Sequence, residues 1–343
     1  MKKIFAFAIA AVALTVGCQK NQIESPDVDP LDDGTPVPVV FGTNVVTVST
    51  KAAIDGTTFA GQELTIYGVN DAATDWTIEE AFLTNMGPAT VAVTGNEIKD
   101  IDAYYGVNKE TYSFFGYHVG DATAVPTADG KTLSVAVTIN GDDDILIGSA
   151  TKADDVGNSG LGVEDLYSAK SARKDVKPNL KFNHGLVRFD FKIKNGTTLG
   201  ENETITINNI AVKSVAECTL AFPSAELTAA ETPKTDDGNV DETQLATFDL
   251  QPANLVFDAS KPKDTIEDAG NIMVMPGLSS YPLALTVTSN EQQATSDLAI
   301  TGTFEAGRKY EVTVVVYGLE AVVLSVTLVD WVDGDPVTID PDA

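Results

Sequence analysis

The sequence is poor in arginine, cysteine, histidine and tryptophan, and each shortage excludes a class of chemistry. Arginine occurs only at Arg173, Arg188 and Arg308, and 22 basic side chains face 50 acidic ones, a formal net charge of -28 over 343 residues. A surface of that sign repels phosphate backbones and anionic bilayers, so no nucleic acid partner is expected. The two cysteines, Cys18 and Cys218, stand 200 positions apart. If Cys18 is modified, Cys218 has no partner and the fold stands on its core without a disulfide. Cys218 lies in a strand-like run and reads as a small buried hydrophobe. His118 and His184 fall in different halves of the chain, which argues against a histidine-based metal site. G-x-S-x-G, H-E-x-x-H, C-x-x-C and glycine-rich phosphate loops are all missing, so neither catalysis nor a cofactor is expected.

What is present begins with MKKIFAFAIAAVALTVGC, residues 1–18. Lys2 and Lys3 form a short positive region, Ile4 to Leu14 an unbroken apolar one, and Gly17-Cys18 a small-residue boundary, the layout of an export signal. The apolar run is shorter than the roughly 20 residues a spanning helix needs, so a removable signal is expected. Its end, Leu14 to Cys18, resembles the lipobox of bacterial lipoproteins, with Thr15 where that pattern usually has Leu. The resemblance implies acylation of Cys18 and an outer-membrane lipid partner. Residues 19–38 are rich in Asp and Pro with little to bury, and read as an acidic flexible tether.

From Val39 onward the texture is that of strands. VVFGTNVVTVST is rich in Val and Thr, and Leu133, Val135, Val137 and Ile139 alternate strictly, the period of a sheet with one buried face. Further strands are expected near Leu64, Ala89, Thr111, Asp144, Thr204, Glu217, Ala246, Ile272, Leu283 and Leu298, with a short helix near Thr77 to Leu83. Gly157 to Pro178 has four basic residues and no apolar period, and reads as a linker or crossover. Leu180 and Phe182 hold one phase and Val187, Phe189, Phe191 and Ile193 the other, so a bulge or bend is expected beside Gly185. Two long strands close the chain, Tyr310, Val312, Val314 and Val316 sharing a face in one, Val322, Leu324, Val326 and Leu328 in the other. Many short strands between Gly, Asp and Asn turns mean an all-β chain of sandwich type, with domains expected at 39–170 and 171–343.

Acidic loops are the remaining candidates for chemistry, because carboxylate oxygens bind Ca²⁺. Asp142-Asp143-Asp144 and the run Asp236 to Glu242 are the two richest, but the second lacks the Gly and terminal Glu of a calcium loop. Both read as solvated turns.

The order of lipobox, acidic tether, VVFGTNVVTVSTKA, F-x-G-x-E-L-T-I-Y-G, FNHGLVRFDFKI, FEAGRKYEVTV and a closing strand ending VDW resembles the fimbrillin family of Bacteroidales pili. The resemblance covers nearly the whole chain. It implies two transthyretin-like β-sandwich domains in tandem, export as a lipoprotein to the cell surface, and no enzymatic activity. It also implies that a surface protease removes the first strand, Val39 to Thr50, and that a neighbouring subunit donates a strand into the vacated groove. Relatives are cut after Arg, whereas this chain offers Lys51-Ala52 and no Arg before Arg173. Either Lys51 is the processed residue or the subunit keeps its lipid. Donor-strand candidates are Leu324, Val326 and Leu328, with Val337 and Ile339 in the tail, although the strand up to Trp331 equally suits closure of its own domain. Asp264-Thr265-Ile266 fits a short acceptor pattern for glycosylation at Thr265. The expectation is thus a pilus subunit partnered by other subunits; the alternative is a non-polymerising lipid-anchored adhesin or glycan-binding lipoprotein. Trp76 and Trp331, far apart, do not supply the aromatic face the alternative would favour.

Overall fold

The computed structural model describes residues 35–42, 47–48, 63–94, 97–98, 101–106, 110–157, 159–252 and 255–329. Within them the regular secondary structure is nearly all strand, and alternation sets the layers. In Val187–Asn195 every second residue, Val187 through Asn195, is buried, while Arg188, Asp190, Lys192 and Lys194 are half-exposed. Such a strand has one dry face and must pack it against a second sheet.

Two pairs of sheets result. In the first, a seven-stranded sheet runs in the order Thr47–Val48, Leu180–His184, Leu146–Ala150, Tyr112–His118, Glu63–Asn70, Ala89–Thr94, Glu97–Ile98. Opposite it lies a four-stranded sheet of Glu226–Ala229, Glu217–Phe222, Thr132–Thr138 and Thr123–Asp129. Phe222 of the second stands 5.7 Å from Phe115 and 6.4 Å from Tyr117 of the first. The outer strand Thr123–Asp129 carries Pro126, which has no N–H to offer a further neighbour.

The second pair consists of Ile266–Val274, Val187–Asn195, Lys309–Tyr317 and Glu320–Val329 against Ala246–Leu250, Ile205–Ser214, Ser280–Ser289 and Gln292–Thr301. Phe189 joins the two layers, with its ring 5.3 Å from Tyr281 and 5.1 Å from Phe304. Val187–Asn195 and Lys309–Tyr317 run parallel, as do Leu180–His184 and Thr47–Val48.

Strand pairing crosses the line between residues 170 and 171. Leu180–His184 pairs with Leu146–Ala150, and Glu217–Phe222 pairs with Thr132–Thr138, so later chain completes both sheets of the first pair. Ile205–Ser214 lies in the second pair and passes through Val215 and Ala216 straight into Glu217–Phe222. One apolar core therefore runs from Tyr117 and Val135 through Cys218 and Leu220 to Phe189 and Tyr281. At the crossing, Gly141 adopts φ +90°, and a Cβ there would press on the Phe248 ring, so both backbone shape and space call for glycine.

The phase switch at Gly185 is a change of sheet rather than a bulge within one. Leu180–His184 belongs to the first pair and Val187–Asn195 to the second, with Gly185 N–H donating to Ile145 O at 2.8 Å. Near Thr77 to Leu83 there is a single turn of 3₁₀ helix, Glu79–Ala81.

Candidate functional site

One face of the seven-stranded sheet packs on its partner sheet. The other carries Leu64, Ile66, Phe114, Leu146, Leu180 and Phe182, all fully buried, and needs a cover of another kind. Two irregular segments supply it. The first is 35–42. Val37–Pro38 pairs with Tyr104–Tyr105, Val39 N–H donates to Ala103 O at 2.9 Å, and on the other side Gly42 N–H donates to Pro178 O at 3.0 Å. Arg173 Nη2 reaches Thr35 O at 3.3 Å. Val39 and Phe41 are 3% and 4% exposed, and the Phe41 ring meets Phe114 edge-on at 5.3 Å. Burying those two side chains contributes about 1.5–3 kcal/mol each. The segment is an extended strap seated in a groove, bonded at both edges and anchored at alternate residues.

The second cover is 159–179, which includes Leu166, Tyr167, Ala169 and Val176 in the same core. Its short helix Ala169–Ala172 begins with a capping box between Ser168 and Ser171. Tyr167 is fully buried with φ +57°, a left-handed conformation costly for a bulky residue. It is held by three contacts: Tyr112 N–H donates to Tyr167 O at 3.0 Å, its ring packs on Phe114 at 5.7 Å, and its hydroxyl donates to Asp155 Oδ2 at 2.6 Å. Burial first, then the Asp155 carboxylate, pushes the Tyr167 hydroxyl far above its ordinary pKa, so it stays a donor. Asp155 also accepts from Asn179 N–H at 2.8 Å and Asn179 Nδ2 at 2.6 Å. Asn179 in turn lies so close to Gly42 that a Cβ at Gly42 would overlap Asn179 Oδ1.

A family model described as fimbrillin-like matches residues 50–331. The chain belongs to the fimbrillin-like family. Among solved structures it resembles a candidate cell adhesion protein of Bacteroides uniformis at 19% identity and TM-score 0.50, covering 89% of this chain and 100% of that one. A candidate cell adhesion protein of Bacteroides ovatus matches at 15% identity and TM-score 0.46, over 88% and 99% of the two chains. The tip fimbrial protein Mfa3 of Porphyromonas gingivalis, truncated at its C-terminus, matches at 9% identity and TM-score 0.38, over 86% and 98%. Of these three, the first shares the fold. No curated protein matches the sequence.

In this fimbrillin-like chain several expected site residues lie outside the described residues: Cys18, Lys51, Ala52, Val337 and Ile339, with the export signal and most of the tether. Val37 and Pro38, expected in the tether, form a strand instead, because Tyr104–Tyr105 offers its edge. Leu324, Val326 and Leu328 lie in Glu320–Val329, antiparallel to Lys309–Tyr317 of the same chain. The register slips there: Val323 pairs with Val314 and Ser325 with Thr313, so Leu324 is skipped and the expected shared face of Val322, Leu324, Val326 and Leu328 is broken by a bulge. Leu328, opposite Tyr310, is 56% exposed. Thr265 is half-buried beside Ile266–Val274, its N–H donating to Pro262 O at 3.1 Å.

The histidines, read from the sequence as belonging to separate domains, both sit opposite Leu146 in the seven-stranded sheet, on the strands that flank it. His118 Nδ1 lies 2.8 Å from Glu63 O, and His184 Nδ1 is hydrogen-bonded to the buried Asp144 carboxylate. Asp144 is thus a core residue rather than part of a solvated turn. In the neighbouring loop Asp143 accepts from Asn140 Nδ2 and Asp121 N–H, and in the other acidic run Asp241 accepts from Thr243 and Gln244. Among the described residues no cluster of three or more His, Cys, Asp or Glu could hold a metal, and no helix is long and apolar enough to cross a membrane. Cys218 is buried, and burial pushes its thiol up to about 12, which keeps it protonated and unreactive.

The sequence reading missed Tyr105, Asp155, Tyr167 and Asn179. The available signal was Leu166-Tyr167, an apolar pair inside the otherwise polar run 157–178.

Proposed function

We propose that this chain is a structural subunit of a cell-surface pilus, exported as a lipoprotein through acylated Cys18 and polymerised by strand donation after its first strand is removed at Lys51-Ala52. The observation that supports this reading is the seating of the 35–42 strap. Its loss would leave Ala103 O and Pro178 O without their backbone donors and the Val39 and Phe41 sites open. A strand from another subunit with alternate apolar residues restores both the hydrogen bonds and the burial. Val337 and Ile339 have the same spacing as Val39 and Phe41. Because Leu324, Val326 and Leu328 are already paired within their own sheet, Val337 and Ile339 are the donor residues of this reading. The partners are then neighbouring subunits, outer-membrane lipid before processing, and a surface protease that accepts Lys. Thr265 is the proposed glycosylation position, and on this reading the two layered pairs of sheets are taken as the two transthyretin-like domains.

A second reading, a lipid-anchored surface adhesin that never polymerises, draws on the relative of shared fold described as a candidate cell adhesion protein. Intact mass and N-terminal sequencing of protein released from its native cell surface separate the two. Chains beginning at Ala52 in detergent-resistant, high-mass ladders are the expected result. Monomers beginning at acylated Cys18 overturn the polymerising subunit and leave the adhesin.

A further inference from the structure

The Asp155 carboxylate links both covers of the groove. One arm runs through the Tyr167 hydroxyl to the Tyr167 ring, then to Phe114, and so to the Phe41 anchor of the strap. The other runs through the Asn179 backbone and side-chain amides to Pro178 and Asn179, which meet the strap at Gly42 by a hydrogen bond and by close contact. We propose that Asp155 is a latch that retains the 35–42 strap after the chain is cut C-terminal to it, so that cutting and strand release are separate events. Three hydrogen bonds on one carboxylate hold 167–179 against the edge of the strap, and charge-assisted bonds of this kind are the strong ones. The strap itself carries two buried anchors and bonds at both edges, so breaking one peptide bond beyond it removes none of its contacts. Release requires the strap to part from Pro178 and Asn179, and the Asp155 bonds hold that edge in place.

The inference rests on the reading that the first strand is removed, and its test is independent of the native protease. In the full chain, a recognition sequence for a site-specific protease replaces residues 50–56, the protein is cut to completion, and loss of the N-terminal fragment is followed by native mass spectrometry and size exclusion. The uncut parent of each variant is checked for a native thermal transition. The cut wild-type chain is expected to keep its fragment well beyond the time of cutting. Asp155→Ala is expected to release it at least about tenfold faster, equivalent to ~1.4 kcal/mol. Asn179→Ala, which cuts one arm, should fall between, and Asp241→Ala, a hydrogen-bonded carboxylate on a remote turn, should match wild type. If Asp155→Ala does not fold, Asn179→Ala and Gly42→Ala, which forces Asn179 aside from the strap, carry the test. Immediate loss of the fragment from the cut wild type overturns the latch, and so does release at the wild-type rate in the Asp155 and Asn179 variants. Oligomer formation is scored separately: Asp155-dependent release without oligomers supports the latch while overturning the pilus reading.

Discussion

The two pairs of sheets handle their outer faces differently. In the second pair most strands are dry on one side, with residues 272–274 and 312–316 buried on both: in Val187–Asn195 core residues alternate with Arg188, Asp190, Lys192 and Lys194, and Arg188 pairs with Asp190, Lys192 with Asp268 and Lys194 with Asp264. In the first pair Tyr112–His118 and Glu63–Asn70 are buried on both sides of the sheet through most of their length. A sheet with two apolar faces needs two covers. Here one cover is a sheet and the other is two irregular segments, 35–42 held by backbone hydrogen bonds at its two edges and 159–179 held through the Asp155 side chain. Segments of that kind detach at lower cost than a strand in the middle of a sheet. The proposed strand exchange accordingly belongs to the half of the molecule with the less regular cover.

The largest test of this contrast compares two buried rings. Phe114 and Phe189 are both fully buried among other aromatics, so Phe114→Ala and Phe189→Ala should each cost about 3–5 kcal/mol in denaturant unfolding. Only Phe114→Ala should also weaken retention of the 35–42 strap in a cut chain. Equal loss of the strap in both variants would break the contrast.

Next is the buried Asp144 and His184 pair, whose side chains are 1% and 0% exposed. Asp144→Leu leaves His184 without its carboxylate and should destabilise by about 3 kcal/mol, whereas Asp144→Leu with His184→Leu should recover much of that. Thermal unfolding of these variants and of His184→Leu alone measures it, and a double variant that loses the sum of the two single losses would show that the pair is not coupled.

A smaller effect concerns Asp71, at the rim of the first pair. Burial alone would raise its pKa, but hydrogen bonds from Lys152, Thr111 and Ser113, with the Lys152 charge, together hold it below the ordinary value. The folded pKa is thus lower than the unfolded one, near 4, so this contribution is present above about pH 4 and is lost as pH falls through the folded value. Asp71→Asn should cost about 1 kcal/mol at pH 7, with the gap from wild type closing in acid. A gap that widens in acid would reverse the assignment.

The smallest effect is expected on the outer face of the second pair, where the Thr286 and Thr295 hydroxyls lie 2.9 Å apart in the open. Thr286→Val should change stability by no more than about 0.5 kcal/mol, by the same unfolding measurement. A larger loss would mean that this face is not simply solvated.

Several of these features could be read directly from the order of residues. Alternation at Leu133, Val135, Val137 and Ile139, and at Val187 through Ile193, marks strands with one dry face, because side chains of a strand point to opposite sides at a period of two. The run YSFFGYH falls in the strand expected near Thr111, and the phase switch beside Gly185, read as a bulge or bend, falls where the chain leaves the first sheet. Burial of Cys218 also follows from its place in an alternating strand. The tertiary structure decided what depends on contacts distant in sequence. It placed Glu217–Phe222 in the first pair of sheets, brought His118 and His184 to either side of Leu146, and turned Asp144 inward. It also joined Asp155 to Tyr167 and Asn179 and set Asn179 against Gly42. Periodicity reports which side of a strand is dry, a property of neighbours along the chain. Which sheet a strand joins, and which carboxylate meets which donor, is fixed only when segments tens of residues apart compete for the same edge and the same buried space.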